Sequence, residues 1–144
     1  MIEQDTIRLL RECDAGIKMG VASIDDVLEN VRDKRLYTLL HTCKADHEKL
    51  KEELQAALDR FHEDGKEPNI MAKTMSAFKT NLELAVNPTD AAIADLMTDG
   101  CNMGVKSLGK YLNQYKAADE SAKDICKKLI ALEDQLIRDI RIYL

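Results

Sequence analysis

Tryptophan is absent, and proline, glycine and aromatic side chains are scarce: two prolines, six glycines and 4% aromatics in 144 residues. Sandwiches and barrels need frequent turns and aromatic or β-branched strands, so this shortage excludes them and leaves an all-α chain. A basic excess is missing as well. With a net charge of −5 and no run of Lys or Arg, nothing is available to displace phosphate counterions, and nucleic acid is excluded as a partner. No uninterrupted apolar run approaches the roughly 20 residues of a membrane span. The start, Met1-Ile2-Glu3-Gln4-Asp5, lacks the basic and apolar regions of a signal peptide. A membrane is therefore excluded and a cytoplasmic location expected. Cysteine occurs only singly, at Cys13, Cys43, Cys101 and Cys126, never as C-x-x-C. Lone thiols near apolar helix positions read as small buried hydrophobes, not as redox or zinc ligands.

What is present is a repeat. Met19-Gly20-Val21-Ala22-Ser23-Ile24 returns as Met103-Gly104-Val105-Lys106-Ser107-Leu108, a shift of 84 residues, and Leu28 returns as Leu112. Helix-period sequence surrounds both copies, so the repeat reads as a duplicated helical hairpin. One hairpin cannot bury its own apolar stripe; two packed together can. At this length a single domain, residues 1–144, buries roughly 68–70% of the surface of the unfolded chain.

The first hairpin spans 4–63. Leu10, Ile17, Ile24 and Val31 recur every seven residues, with Ile7, Val21 and Leu28 on a second row. Asp33 caps the next helix, whose seam is Leu36, Leu40, Cys43, His47, Leu50, Leu54, Ala57 and Phe61. The charged face between the seams is supported by i,i+4 pairs such as Lys49–Glu53. Asp64-Gly65-Lys66-Glu67-Pro68 ends that helix. A shorter helix over 69–86 follows, with Met71, Met75, Phe78 and Leu82 on one face, then the second hairpin at 88–144. In this hairpin Ser121-Ala122-Lys123-Asp124 resembles a capping box. Its last seam is Ile125, Leu129, Leu132 and Leu136. About 18 helical residues cover roughly 27 Å at 1.5 Å per residue. The middle helix is thus a crossover that returns the chain to the other end and makes the second and third long helices parallel.

Two duplicated hairpins joined by a long crossover resemble the ferritin-like four-helix-bundle superfamily. The M-G-x-x-S-[IL] pair is similar to that of small bacterial members whose activity is uncharacterised. The resemblance implies a ferritin-like bundle and raises the question of iron or manganese. The superfamily's di-iron site takes one carboxylate from each of two helices and a Glu-x-x-His from each of the other two. Here Thr38 precedes His41 by three residues, Lys44 precedes His47, and Asp59 precedes His62 at a helix end. The helix carrying Glu133 has no histidine. The pattern fails in both halves.

Four polar residues remain as candidates for a degenerate metal site: His47, Glu133, Asp14 and Glu12. His47 lies on its seam between Cys43 and Leu50, level with about Gly20, and Gly104 is level with about Ala131 to Glu133. The glycines make room for an imidazole or for close helix contact. His47 and Glu133 could then approach each other in the bundle centre. The plainer readings are a core histidine with a local hydrogen-bond partner and a partly solvated boundary Asp14. A phosphotransfer role for His47 would need an exposed imidazole. The expected function is a structural or binding protein without catalysis and without a cofactor, docking an unknown protein partner or itself; the alternative is an iron- or manganese-binding carboxylate/histidine bundle.

Overall fold

Among the described residues, short polar side chains start three of the four long helices. The Asp33 carboxylate accepts from the Leu36 amide at the head of α2 (Lys34–Arg60). The Thr89 hydroxyl accepts from Ala92 at the head of α3 (Asp90–Gln114), and Asp119 accepts from Ala122 at the head of α4 (Glu120–Ile140). Each bond satisfies an amide that the first helical turn leaves without a partner, worth about 1 kcal/mol. The first helix, α1, occupies Ile2–Leu28, and a 3-10 turn, Arg141–Tyr143, follows α4. In this computed structural model residues 2–69, 77, 79–81, 84 and 87–144 are described, and no strand occurs among them. The all-α expectation stands. The cap expected at Ser121 does not: Ser121 is exposed inside α4, and Asp119 takes the position. A carboxylate is the stronger acceptor, and the Asp119 amide is itself anchored on the Thr6 hydroxyl at 2.8 Å.

Hydrogen bonds across the two ends fix the helix directions. At one end the Arg32 and Asp33 amides, in the α1–α2 turn, donate to the two carboxylate oxygens of Asp90 at 2.9 Å each. The Tyr143 hydroxyl donates to Asp33 there as well, at 2.9 Å. At the other end the Asp119 amide donates to Thr6, and the Ala117 amide to Asp5 at 3.1 Å. The heads of α2 and α3 therefore share one end, and the heads of α1 and α4 share the other. α2 runs parallel to α3, and α1 parallel to α4. α1 packs against α2, α3 and α4, while α4 also packs against α2.

The crossover expected at 69–86 lies mostly outside the described residues, including Met71, Met75, Phe78 and Leu82. Ala77, residues 79–81 and Leu84 are helical, and Leu84 is buried in the core. Lys79 reaches Asp99 of α3 at 3.6 Å.

Among the described residues the core falls into two apolar clusters. One holds Leu9, Leu10, Ile17, Leu54, Leu58, Leu108, Ile125 and Leu129; the other holds Ile24, Leu36, Leu40, Ile93, Leu136 and Ile140. The α2 seam is buried as expected from Leu36 to Ala57. In α1 the expected second row is only half covered at Ile7, Val21 and Leu28, and Leu9, Cys13 and Val27 are buried instead. A helix with three packed neighbours buries a wider face than a two-helix seam predicts. The expected Lys49–Glu53 pair is replaced by a bond between helices, Glu53 accepting from Lys128 of α4 at 3.0 Å.

Asp90 bridges the two hairpins through two backbone amides. The Asp90→Ala variant should lose about 1–3 kcal/mol in urea unfolding with an unchanged m-value, since hydrogen bonds to a charged group are the stronger kind.

Candidate functional site

Between the two apolar clusters lies a polar layer at mid-bundle. Gly20 sits between Ile17 and Ile24, His47 between Cys43 and Leu50, Gly104 between Cys101 and Leu108, and Glu133 between Leu129 and Leu136. Both polar side chains are buried, His47 at 2% exposure and Glu133 at 7%. Each occupies the space of a missing Cβ. A Cβ on Gly20 would stand 2.9 Å from Nε2 and 3.1 Å from Cδ2 of His47. One on Gly104 would stand 2.8 Å from both Cδ and Oε1 of Glu133. Separations under about 3 Å put carbon inside van der Waals contact. The glycines of the sequence repeat are therefore the niches of the two polar groups.

The protonation states follow from the contacts. His47 Nδ1 lies 2.8 Å from the Cys43 carbonyl oxygen, which can only accept. Nδ1 thus carries the proton, and Nε2 faces Gly20 as a bare acceptor with no hydrogen-bond partner. Burial pushes the imidazole below its ordinary value, and the bond to the Cys43 carbonyl offsets this in part. Burial, then the nearby Asp134 and Cys126, push Glu133 up to about 8. At neutral pH both groups are uncharged, and Glu133 Oε2 also has no hydrogen-bond partner. The two residues share a level but make no hydrogen bond to each other. One turn away, burial raises the Cys43 thiol to about 12, and the Cys101 thiol is raised by burial and by Glu133. All four cysteines are free.

Asp14 and Glu12 serve a different structure. Asp14 is 1% exposed, not partly solvated as expected. Lys18 meets its Oδ2 at 2.8 Å, and the Lys66 amide donates to the same oxygen at 3.0 Å. Lys18 also bonds Glu67 at 3.0 Å, and Lys66 pairs with Glu12. A Cβ on Gly65 would stand 2.8 Å from Asp14 Cγ, so glycine lets the chain pass over the carboxylate. These groups latch the segment after α2 onto α1. The i,i+4 spacing of Asp14 and Lys18 was visible in the sequence; the Lys66 amide, 52 residues away, was not.

Among the described residues no three His, Cys, Asp or Glu side chains are grouped to hold a metal ion. His41 is exposed and stacks on Tyr37, and His62 is exposed where the backbone leaves α2 with φ 54°. The buried imidazole of His47 is closed to phosphotransfer. An open groove of about 590 Å³ runs between α1 and α2, floored by Ile17 and Val21, with Lys18, Lys51, Asp25 and Glu48 at its edges. Among the described residues no helix is long and apolar enough to cross a membrane. No family model, curated protein or solved structure matches the chain.

Gly20→Leu and Gly104→Leu should each destabilise the fold by about 1–3 kcal/mol through overpacking. Combining Gly20→Ala with His47→Ala should recover part of the Gly20→Ala loss, and a double-mutant cycle in urea measures the coupling. Glu133 yields a pH signature. Its folded value of about 8 exceeds its ordinary 4.5. Its contribution to stability is thus complete below pH 4.5 and is lost as pH rises through about 8. The slope in that window reaches at most about 1.4 kcal/mol per pH unit. Glu133→Gln should flatten it, read as unfolding midpoint against pH. His47, shifted downward, acts in the opposite sense and withdraws stability as pH falls below 6.5.

Proposed function

We propose that this chain is a ferritin-like four-helix bundle that acts in the cytoplasm as a structural or binding protein, without a reaction of its own. The parallel run of α2 and α3 supports the ferritin-like plan. The functional reading is carried by the use of the polar seam residues in packing: Asp14 and Glu12 hold the segment after α2, while His47 and Glu133 fill glycine niches in neutral form. A protein partner or a second copy has an apolar surface to meet. Tyr37, Ile142 and Leu144 are exposed near the end where α2 begins and α4 stops, and Met103 is exposed on α3. The acidic balance leaves nucleic acid aside.

A degenerate iron or manganese site is the second reading, and one observation favours it. Nε2 of His47 and Oε2 of Glu133 are both buried and without partners in the same layer. Two such donors do not make the oxygen-and-imidazole shell these ions take. Asp14 and Glu12 are engaged elsewhere.

Protein prepared without added metal should carry only substoichiometric iron, manganese or zinc by elemental analysis. Adding Mn(II) or Fe(II) should leave the unfolding midpoint in place, whereas a ligand at a hundredfold its Kd stabilises by about 2.7 kcal/mol. A stoichiometric metal that disappears in His47→Leu would replace the first reading by the second.

A further inference from the structure

We propose that Cys13 and Cys126 form a disulfide when the protein meets a peroxide, a reversible cross-link between α1 and α4. Neither residue belongs to the polar layer, and the inference is independent of the proposed function.

The geometry comes from the parallel packing of α1 on α4. The Thr6 hydroxyl accepts from the Asp119 amide, a separation of 113 residues. The same offset relates Gly16 to Leu129, where a Cβ on the glycine would touch Leu129 Cδ2 at 3.4 Å. It also relates Cys13 to Cys126, one helical turn from that contact. In parallel helices a constant offset means a common level, so the two sulfurs are in register. Both residues are 0% exposed. Both side chains belong to one apolar cluster and interact with each other there, and the Cys126 thiol lies 3.8 Å from the Leu108 carbonyl oxygen. A disulfide requires Cα atoms about 4.4–6.8 Å apart; the absent side chain of Gly16 favours such an approach. Cys43 and Cys101 lie in the other apolar cluster, near Glu133.

The interaction of the two thiols also assigns the roles. It lowers the Cys126 thiol and, together with burial, raises that of Cys13. Cys126 is thus the more readily ionised of the two, the one that attacks first, and Cys13 the resolving thiol. The Cys126 sulfur attacks one peroxide oxygen, the O–O bond breaks, and the departing hydroxide takes up the proton Cys126 has released, leaving as water. The sulfenic acid on Cys126 is then attacked by the Cys13 sulfur. The S–S bond forms, the S–O bond breaks, and the Cys13 proton leaves in a second water. Two thiols lose two electrons and one peroxide becomes two waters. Cys126 lies within two turns of the α4 head, so local opening of that end admits the small oxidant.

The test exposes the intact chain to hydrogen peroxide, blocks remaining thiols under denaturing conditions and maps peptides by mass. The expected result is a linked Cys13–Cys126 peptide pair that has lost two hydrogens and separates on reduction by dithiothreitol. Cys43 and Cys101 should be recovered as blocked thiols, and the oxidised protein should unfold at a higher temperature than the reduced one. Cys13→Ser should abolish the link and leave a Cys126 sulfenic acid that dimedone traps. Recovery of Cys13 and Cys126 as free thiols, their over-oxidation without a link, or pairing with Cys43 or Cys101 would overturn the proposal. The peptide map uses the unaltered chain and does not depend on whether the variant folds.

Discussion

An imidazole and a carboxyl group cannot both enter the middle of a tightly packed bundle unless neighbouring helices give up side chains, and Gly20 and Gly104 do so. The arrangement is costly. Each mid-helix glycine costs about 1 kcal/mol relative to alanine, and each buried polar atom without a partner costs about 1–3 kcal/mol. The flanking clusters outweigh this, since each fully buried Leu or Ile contributes about 1.5–3 kcal/mol. In exchange the layer fixes register. A one-turn slip of α2 along α1 would set the His47 ring against Ile17 or Ile24, side chains that already fill their space.

The ends of the bundle are fixed by a different interaction. Backbone amides of one hairpin donate to side chains of the other: Arg32 and Asp33 to Asp90, Ala117 to Asp5, Asp119 to Thr6. These bonds use amides that turns and helix heads leave unpaired, so polar groups are satisfied and hairpins joined by the same contacts. Asp14 extends this principle to the segment after α2, where a buried carboxylate needs both Lys18 and the Lys66 amide. One of its oxygens, Oδ1, still lacks a partner.

Patterns local in the chain were legible in the sequence. The α2 seam follows from apolar spacing alone, and the hexapeptide pair located both glycines and the level of His47 and Glu133. Contacts between distant segments were not. Asp14 looked like a boundary residue because its covering loop lies 52 residues away. Cys13 and Cys126 looked like lone thiols because only the parallel packing of α1 on α4 brings them together. The second row of α1 was misplaced because heptad counting assumes one partner, whereas α1 touches three helices. His47 and Glu133 share a level as the glycines suggested, yet each turns to its own niche and they do not bond.

The two niches are equivalent by position in the fold and not by the 84-residue shift. That shift carries His47 onto Ala131, which is exposed. His47 lies thirteen residues past Lys34, the first residue of α2, and Glu133 lies thirteen past Glu120, the first of α4. The two inter-helix turns are of equal length, Glu29 to Asp33 and Tyr115 to Asp119. The discrepancy arises in the first helix of each hairpin: α3 continues ten residues beyond Gly104, α1 eight beyond Gly20. Two residues added to a helix would rotate its end by about 200° at 3.6 residues per turn and carry the following turn with it. The α3–α4 turn is held in place by Thr6 and Asp5, which links that extension to the contacts at the head of α1. The layer therefore keeps its position through the helix heads, while its occupants differ: a base that stays neutral by losing a proton, and an acid that stays neutral by keeping one.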